Sequence, residues 1–321
     1  MCRVRAVSEG VLTLRELNRS TLARQLLLER KRLSPAAVLE RLVGMQAQWP
    51  SAPYVGIWTR TTSFRREALE RKLASADVVK ATVMRQTLHL VTRRDYALLR
   101  AALSETNFPW QTSEAKRLAP LVRALAAAGP VTTSEALAHL EHEHGLTGIR
   151  ARRAWRATRV RAHLLHHHET ALLHGSPGGR FVALEEPEAH DPTEARAEIL
   201  RRYLAAFGPA SRRDIGAWSM MHVPELARAL ERLEPLRRFR DEHGRELLDV
   251  QRAAAGRRNP RTRSVPAEVG QRAACVRGSD ACAPGAIQKD SHPHERRRRA
   301  DVPHRRVRRR HLARRERPRR T

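Results

Sequence analysis

Apolar residues recur every three or four positions through much of the first 250 residues, which is the spacing of helices that bury one face. Three such segments fall at residues 18–28, 34–48 and 64–73. The period then changes to two in residues 78–84 and 87–91, which predicts a pair of β-strands. Three helices followed by a hairpin is the order of a winged helix, so the pattern predicts one such unit at the start of the chain.

Two glutamines, Gln46 and Gln48, flank one small apolar residue where the second predicted helix ends. Uncharged amides at this place either cap and bridge backbone groups or face a pocket that needs a neutral hydrogen-bonding pair. Residues 49–60 follow as a predicted loop, rich in turn-forming and aromatic residues. Trp49 and Tyr54 either stack on nucleic-acid bases or fill the first core, and core packing is favoured for Trp58.

The same order of elements returns twice downstream. Gly-Pro-x-Thr at residues 129–132 and Gly-Pro-x-Ser at residues 208–211 each join one helical pattern to the next. In the second copy, a basic helix over residues 154–168 is followed by predicted strands at 171–174 and 180–184.

The predicted fold is therefore mainly α with small β-hairpins, in three tandem winged-helix units at residues 12–110, 115–187 and 193–250. A helical protein without repeats is the alternative.

Residues 251–321 differ in kind, since they contain no Phe, Trp or Tyr and are dominated by arginine. One interpretation is a disordered basic arm that grips phosphates. The preferred one is a one-base frame change near Val250 or shortly after, because codons allowed for these residues yield apolar, strand-like strings in the shifted frame. In that case an out-of-frame tail has replaced a β-rich domain, and its charge was not selected for DNA binding.

The formal net charge of +28 favours a polyanionic partner, through neutralisation of phosphates and release of counterions. The three cysteines, Cys2, Cys275 and Cys282, lack the spacing of a zinc site and are typical of a reducing compartment. The N-terminus lacks a signal-peptide core and no apolar run is long enough to span a bilayer. We therefore expect a cytoplasmic, nucleoid-associated protein without membrane contact.

A basic stripe is predicted in the second unit, either as a phosphate-binding surface or as a solvated face, and consists of Arg150, Arg152, Arg153, Arg156, Arg159 and Arg161. On a helix, His163, His166 and His167 have the spacing to approach one another. No fourth ligand accompanies them and the segment is rich in arginine, so no metal is predicted.

Four stretches together resemble one known family: residues 44–54 around the two glutamines, residues 84–91, residues 207–211 and residues 217–219. They are similar to the bacterial winged-helix DNA interstrand-crosslink glycosylases, the AlkZ/YcaQ-like proteins, over residues 12–250. The resemblance implies three tandem winged helices plus a C-terminal β-barrel, which is missing here. It also implies that Gln46 and Gln48 occupy the family's Gln-x-Gln active-site motif. The face that carries Arg85, Thr87 and His89, which alternate on the predicted hairpin, is then near the cleft, although a buried structural histidine is equally consistent with His89.

The resemblance implies a monofunctional glycosylase that hydrolyses the N-glycosidic bond of N7-alkylated purines, crosslinks included, in double-stranded DNA. An amide cannot act as a general base. A purine alkylated at N7 is already cationic, however, and leaves when a water and a suitable cleft are in place. We expect no cofactor, no catalytic lysine and a monomer. The alternative is a non-catalytic DNA-binding protein, either a transcription regulator or a truncated, inactive relative.

Overall fold

The computed structural model describes residues 10–103, 112–175, 179–183 and 189–250. These ranges contain eleven α-helices and nine short strands, so the prediction of a mainly helical chain with small β-elements is confirmed. The predictions for the tail, the frame change and the missing barrel concern residues 251–321, outside the described ranges. Among the described helices, none combines the length and apolar character needed to cross a membrane.

The helices are α1 (Leu14–Arg24), α2 (Pro35–Arg41), α3 (Ser51–Trp58), α4 (Arg66–Ala74), α5 (Arg93–Leu103), α6 (Ser113–Ala128), α7 (Thr133–His144), α8 (Gly148–Arg161), α9 (Pro192–Phe207), α10 (Arg212–Ser219) and α11 (Val223–Glu231). The strands are β1 (Val11–Leu12), β2 (Met45–Gln46), β3 (Val78–Thr82), β4 (Leu88–Thr92), β5 (Val131–Thr132), β6 (Leu165–His166), β7 (Arg180–Val182), β8 (Arg237–Asp241) and β9 (Glu246–Asp249). Two 3-10 turns lie at Met84–Gln86 and His168–Ala171.

Six strands form one sheet in the order β2-β4-β3-β6-β7-β5. The predicted first hairpin is present as β3 and β4, which pair in an antiparallel manner. The strands β5, β6 and β7 come from the second predicted unit and join that hairpin where Lys80 of β3 lies opposite His166 of β6. The hairpins of the first two predicted units therefore share one sheet.

The two faces of this sheet pack against different helices because alternate residues of a strand point in opposite directions. Met45 and Leu90 belong to a core with α2, α3 and α4. Val79, Ala81 and Val91 belong to a larger core that includes α5 and α9. Strand β2, at the edge of the sheet, thus connects to both cores.

A second sheet has the order β1-β8-β9, in which β1 runs parallel to β8. Helix α1 packs here, because Leu17 shares a small core with Phe239 and Leu247. Arg24 at the end of α1 donates two hydrogen bonds to the carboxylate of Asp249 on β9, at 2.8 and 2.6 Å. The two side chains are only 5% and 0% exposed. A buried ion pair therefore joins the first described helix to the last described strand.

The second predicted helix is shorter than expected. Ser34 caps α2 by accepting a hydrogen bond from the backbone N–H of Ala37, but the helix ends at Arg41. The chain then turns through Gly44, whose φ of +94° is favoured by glycine and incompatible with a continuing helix. The expectation that this helix runs into Gln46 and Gln48 is wrong, since Gln46 lies on a strand and Gln48 follows it.

The prediction of a loop at residues 49–60 is also wrong, because this segment contains α3. Pro53 suggested a break, yet it occupies the first turn of the helix, where backbone N–H groups have no intrahelical acceptor and proline is tolerated.

In the second copy, the basic helix ends at Arg161 instead of continuing to residue 168. His163 adopts a φ of +55° and turns the chain into β6. The strand that pairs with β7 is therefore Leu165–His166, and the prediction of a strand at residues 171–174 is wrong.

Candidate active site

Gln46 lies opposite His89 across the antiparallel pair β2/β4, and Ala81 of β3 is the next residue in the same row. Directly opposed residues project from the same face of a sheet with Cβ atoms about 5 Å apart. Gln46 is half-buried, and its side-chain amide makes no hydrogen bond within the described ranges. An amide that is held in place without a protein partner is available to a water or a ligand.

Gln48 is exposed, and its side chain anchors it to β4, the strand that carries His89. Its Oε1 accepts a hydrogen bond from the backbone N–H of Leu88 at 2.9 Å, while the N–H of Ala47 donates to the carbonyl of Leu88 at 2.7 Å. The side-chain carbonyl thus extends the ladder between β2 and β4 by one bond. The Nε2 group of Gln48 keeps its two donors unengaged within the described part of the chain.

Two glycines allow β2, the strand that carries Gln46, to fit between its neighbours. A Cβ on Gly44 would lie 2.6 Å from Cγ1 of Val91 and 3.2 Å from the carbonyl oxygen of Leu90. A Cβ on Gly56 of α3 would lie 2.4 Å from the sulfur of Met45. The distances to Val91 and to Met45 are shorter than van der Waals contact, so β2 is packed closely by β4 on one side and by α3 on the other.

His89 is 2% exposed, and its Nδ1 lies 3.0 Å from the carbonyl oxygen of Thr87. Burial lowers the pKa of His89 to about 4, against the opposing effect of this hydrogen bond, and the charge of Arg85 lowers it further. The imidazole is therefore neutral at neutral pH. Because a carbonyl can only accept, Nδ1 carries the proton and Nε2 keeps a lone pair.

Arg85 and Thr87 have different positions from those predicted for alternating strand residues. Arg85 lies in the 3-10 turn before β4, with a φ of +51°, and its Nη1 donates to the carbonyl of Trp218 in α10 at 3.4 Å. The hydroxyl of Thr87 donates to the carbonyl of Met84 at 3.1 Å and closes the same turn. The expectation of one shared face is wrong for Arg85, which links this turn to α10.

The aromatic residues around the motif divide into one buried and two exposed side chains. Tyr54 is buried in the core beneath α3, where burial raises the pKa of its hydroxyl to about 12. Trp49 and Trp58 are 77% and 54% exposed, so the expectation that Trp58 packs in the core is wrong. The guanidinium of Arg30 lies 4.9 Å above the Trp58 ring, a contact that the sequence did not suggest.

The predicted basic stripe of α8 is only partly a surface. Its exposed members are Arg150, Arg152, Arg153 and Arg156. Arg159 is half-buried, lies 5.1 Å above the ring of Phe181 and has its pKa lowered by burial.

The three histidines predicted to lie on one helix follow α8 instead of belonging to it. His166 packs its ring 4.6 Å from that of Phe181, and its pKa is lowered to about 3 by burial and by the charges of Lys80 and Arg159. A different set, His167, His168 and Glu169, brings its ligand atoms within 4.8 Å of one another. Arg180 already bonds to Glu169 at 3.2 Å, and this positive charge disfavours a cation beside them.

Two of three comparisons with known proteins found a match. A family model described as DNA glycosylase AlkZ-like matches residues 39–268. Among solved structures, the chain is similar to the Streptomyces sahachiroi DNA glycosylase AlkZ, with 20% sequence identity and a TM-score of 0.63 over 74% of this chain and 70% of that one. A comparison with curated proteins gave no match. The structural likeness concerns the fold alone, whereas the family match spans both glutamines and the strands that hold them.

Proposed function

Because the chain belongs to the family of AlkZ-like DNA glycosylases, we propose that it hydrolyses the N-glycosidic bond of N7-alkylated purines in duplex DNA, crosslinked purines included. The product is free modified base and an abasic site. The observation that carries the proposal is Gln46: a half-buried amide that makes no hydrogen bond to any described residue, opposite a neutral histidine, on the strand that the family match includes.

The chemistry suits residues that are neither acids nor strong bases. Alkylation at N7 gives the purine a positive charge, so the bond from N9 to the sugar C1′ breaks with its electron pair going to the base. The sugar is left oxocarbenium-like, and the oxygen of a water adds to C1′ and loses one proton. Since the leaving group is already activated, the protein has mainly to orient the water and stabilise the positive sugar.

Each member of the site has a role in this scheme. The side-chain oxygen of Gln46 accepts a hydrogen bond from the attacking water, and Nε2 of His89 accepts a second one from the same water. Gln48 binds the sugar-phosphate backbone through its Nε2 donors while its Oε1 stays bonded to the N–H of Leu88. Arg85 supports the turn that precedes β4 through its bond to α10.

The exposed arginines of α8 are the proposed phosphate-binding surface. Arg150, Arg152, Arg153 and Arg156 extend into solvent on the helix that precedes β6. Contacts of this kind neutralise phosphates and fix the register of a protein on a duplex without reading its sequence. They are proposed to hold the duplex while the glutamines act on one nucleotide.

A base-release assay tests the proposal. The purified full chain is incubated with a duplex that contains N7-methylguanine and, separately, with a duplex crosslinked through N7 of guanine, and free base is quantified. Gln46→Ala is expected to reduce release by about 100-fold, the effect of removing one pre-organised polar group from an active site. Ser63→Ala, on the exposed segment after α3, is the surface control and is expected to match the wild type.

The outcomes separate the two candidate functions. Release of base that depends on Gln46 supports the glycosylase. Binding of the duplex without release of base by the wild-type chain contradicts it and favours a non-catalytic DNA-binding protein.

A further inference from the structure

Three large apolar side chains that follow the two glutamines within ten residues are exposed. Trp49 directly follows Gln48 and is 77% exposed; Val55 and Trp58 on α3 are 42% and 54% exposed. Ala52 is exposed as well, so every third residue from 49 to 58 is an exposed apolar side chain. We call these four residues, Trp49, Ala52, Val55 and Trp58, the tryptophan face.

This exposure is unusual for the residue type. Four of the five tryptophans in the sequence lie in the described ranges, and the other two of these, Trp155 and Trp218, are 3% and 8% exposed. A large aromatic side chain that stays in water forgoes about 2 kcal/mol of burial free energy. Trp58 lies on α3 and Trp49 lies two residues before this helix, and exposed aromatic side chains so close in the chain mark a surface that a partner is expected to cover.

The tryptophan face is rigidly connected to the glutamines. Gly56 of α3 packs directly on Met45, the residue before Gln46. The buried side chain of Arg60 donates to the carbonyls of Gln25 at 2.9 Å and of Gly56 at 2.7 Å, which fixes the end of the helix. The distance from the face to Gln46 is therefore set by core packing.

The charge at the face indicates which partner covers it. Arg30 stacks over the ring of Trp58 and donates to the carbonyl of Trp58 at 2.5 Å. The chain as a whole carries a net charge of +28. A cation held beside exposed aromatic rings suits a partner with anionic phosphates and flat π-faces, and nucleic-acid bases have both features.

We infer that the tryptophan face stacks on the DNA bases next to the nucleotide that enters the site, with Trp49 filling the space this nucleotide leaves. The inference rests on the proposed function and concerns monoadducts such as N7-methylguanine, whose nucleotide can be extruded to expose its glycosidic bond, whereas a base crosslinked to the opposite strand cannot leave the duplex in this way. Extrusion costs a few kcal/mol of lost stacking, and an apolar wedge offsets this cost by stacking on the neighbouring bases. Trp49 is one residue from Gln48, so stacking and bond cleavage occur at the same nucleotide.

The first test compares duplex and single-stranded substrates with the full chain. Trp49→Ala is expected to slow base release from N7-methylguanine in a duplex about 10-fold, which corresponds to the loss of one base-stacking contact. In a single strand, where no gap has to be filled, its effect is expected to stay below about 3-fold. Trp49→Phe keeps an aromatic ring and is expected to restore most of the duplex activity. Val223→Ala removes an 80% exposed apolar side chain from α11 and is the surface control.

The second test does not depend on catalysis. Tryptophan emission is titrated with a duplex that contains a stable abasic-site analogue, for the wild type and for Trp49→Phe and Trp58→Phe. Quenching that falls in both variants supports stacking, even if the wild-type chain releases no base and the proposed function fails. Equal quenching in all three chains, or equal loss of activity on duplex and single strand, overturns the inference. A change in sedimentation on substitution of Trp49 or Trp58 also overturns it, because it assigns the face to a second copy of the chain.

Discussion

Gln46 and His89 are directly opposed on neighbouring strands. Gln46 is half-buried, and its amide bonds to no residue in the described part of the chain, whereas His89 is buried and neutral. The strand register brings these two side chains together although 43 positions separate them in the chain. Their proximity therefore depends on the pairing of β2 with β4, and substitutions that disturb this pairing are expected to affect the site as well as stability.

The titration of His89 predicts a pH dependence of stability. Its pKa is about 4 in the folded chain, whereas a solvated histidine has its ordinary pKa of about 6.5, so the unfolded chain takes up the proton at higher pH. The stabilisation from the neutral buried form is complete above about pH 6.5, declines as the pH falls towards 4 and amounts to about 3 kcal/mol in total. Urea unfolding of the wild type and of His89→Asn at pH 7 and at pH 4.5 measures how much free energy of unfolding each chain loses on acidification. We expect the variant to lose less stability on acidification. Equal losses in the two chains would contradict this. His166, whose pKa is also lowered, is present in both chains, so its contribution to the pH dependence is the same in both.

Substitutions of Gln48 separate its structural contact from its proposed binding role. Gln48→Glu keeps an oxygen that accepts from the N–H of Leu88 but removes the Nε2 donors, whereas Gln48→Ala removes both. We expect Gln48→Glu to unfold at about the wild-type urea concentration and to lose at least about 10-fold in base release, because a carboxylate repels the DNA backbone. Gln48→Ala is expected to lose about 1 kcal/mol of stability in addition. Full activity of the glutamate variant would show that the donors are not used.

Gly44 is expected to tolerate no side chain. Alanine there would combine a φ of +94° with a Cβ only 2.6 Å from Val91, so the strand before the glutamines has to shift. Gly44→Ala is expected to cost at least about 2 kcal/mol and to reduce base release at temperatures where the chain is still folded. Gly244→Ala is the matched control, because its φ of +77° is also left-handed but nothing surrounds it. If both variants lose the same free energy of unfolding, close packing at Gly44 is not the cause of the loss.

The arginines of α8 predict the salt dependence of DNA binding. The double variant Arg152→Ala/Arg153→Ala removes two exposed charges and is expected to lower the slope of log K against log salt by about 2, at equal cost for every sequence. Arg159→Ala is the control on the same helix, because that guanidinium packs over Phe181 instead of extending into solvent. It is expected to change stability more than the slope. An unchanged slope in the double variant would locate the duplex elsewhere.

The elements that the sequence predicts well are those with their own local signals. Ser34 before Pro35, Thr132 with Glu135 and Ser211 with Asp214 are side-chain caps, and each opens a helix at the expected place. The alternation in residues 78–91 gives the first hairpin. Mainly helical architecture follows from these signals alone.

The failures concern backbone turns and contacts between distant residues. Helices α2 and α8 end where Val43, Gly44 and His163 adopt positive φ angles, and only the glycine among them is a recognisable signal. The exposure of Trp58 depends on α3 being a helix whose opposite side carries the buried Ile57. Residues 52–58 are apolar throughout and show no helical period, and the glycine and proline within them favoured a loop.

In the candidate site, too, local features can be predicted from the sequence, whereas contacts between distant residues cannot. The glutamine motif was found in the sequence through its neighbours and through a family resemblance. The position of Gln46 opposite His89 depends on strand register, which no local pattern specifies. The cation over Trp58 comes from Arg30, 28 positions earlier, and is set by the path of the chain around α3.

The ion pair of Arg24 with Asp249 has a consequence for how the chain is completed during synthesis. Its partners are 225 positions apart, so at roughly 5–20 residues per second the N-terminal helix leaves the ribosome about 10–45 seconds before the strand that neutralises its arginine. The strands of the six-stranded sheet all lie between residues 45 and 182 and are available earlier. The strand pair that carries Gln46 can therefore form while α1 is still undocked, and the first described helix is among the last elements to dock.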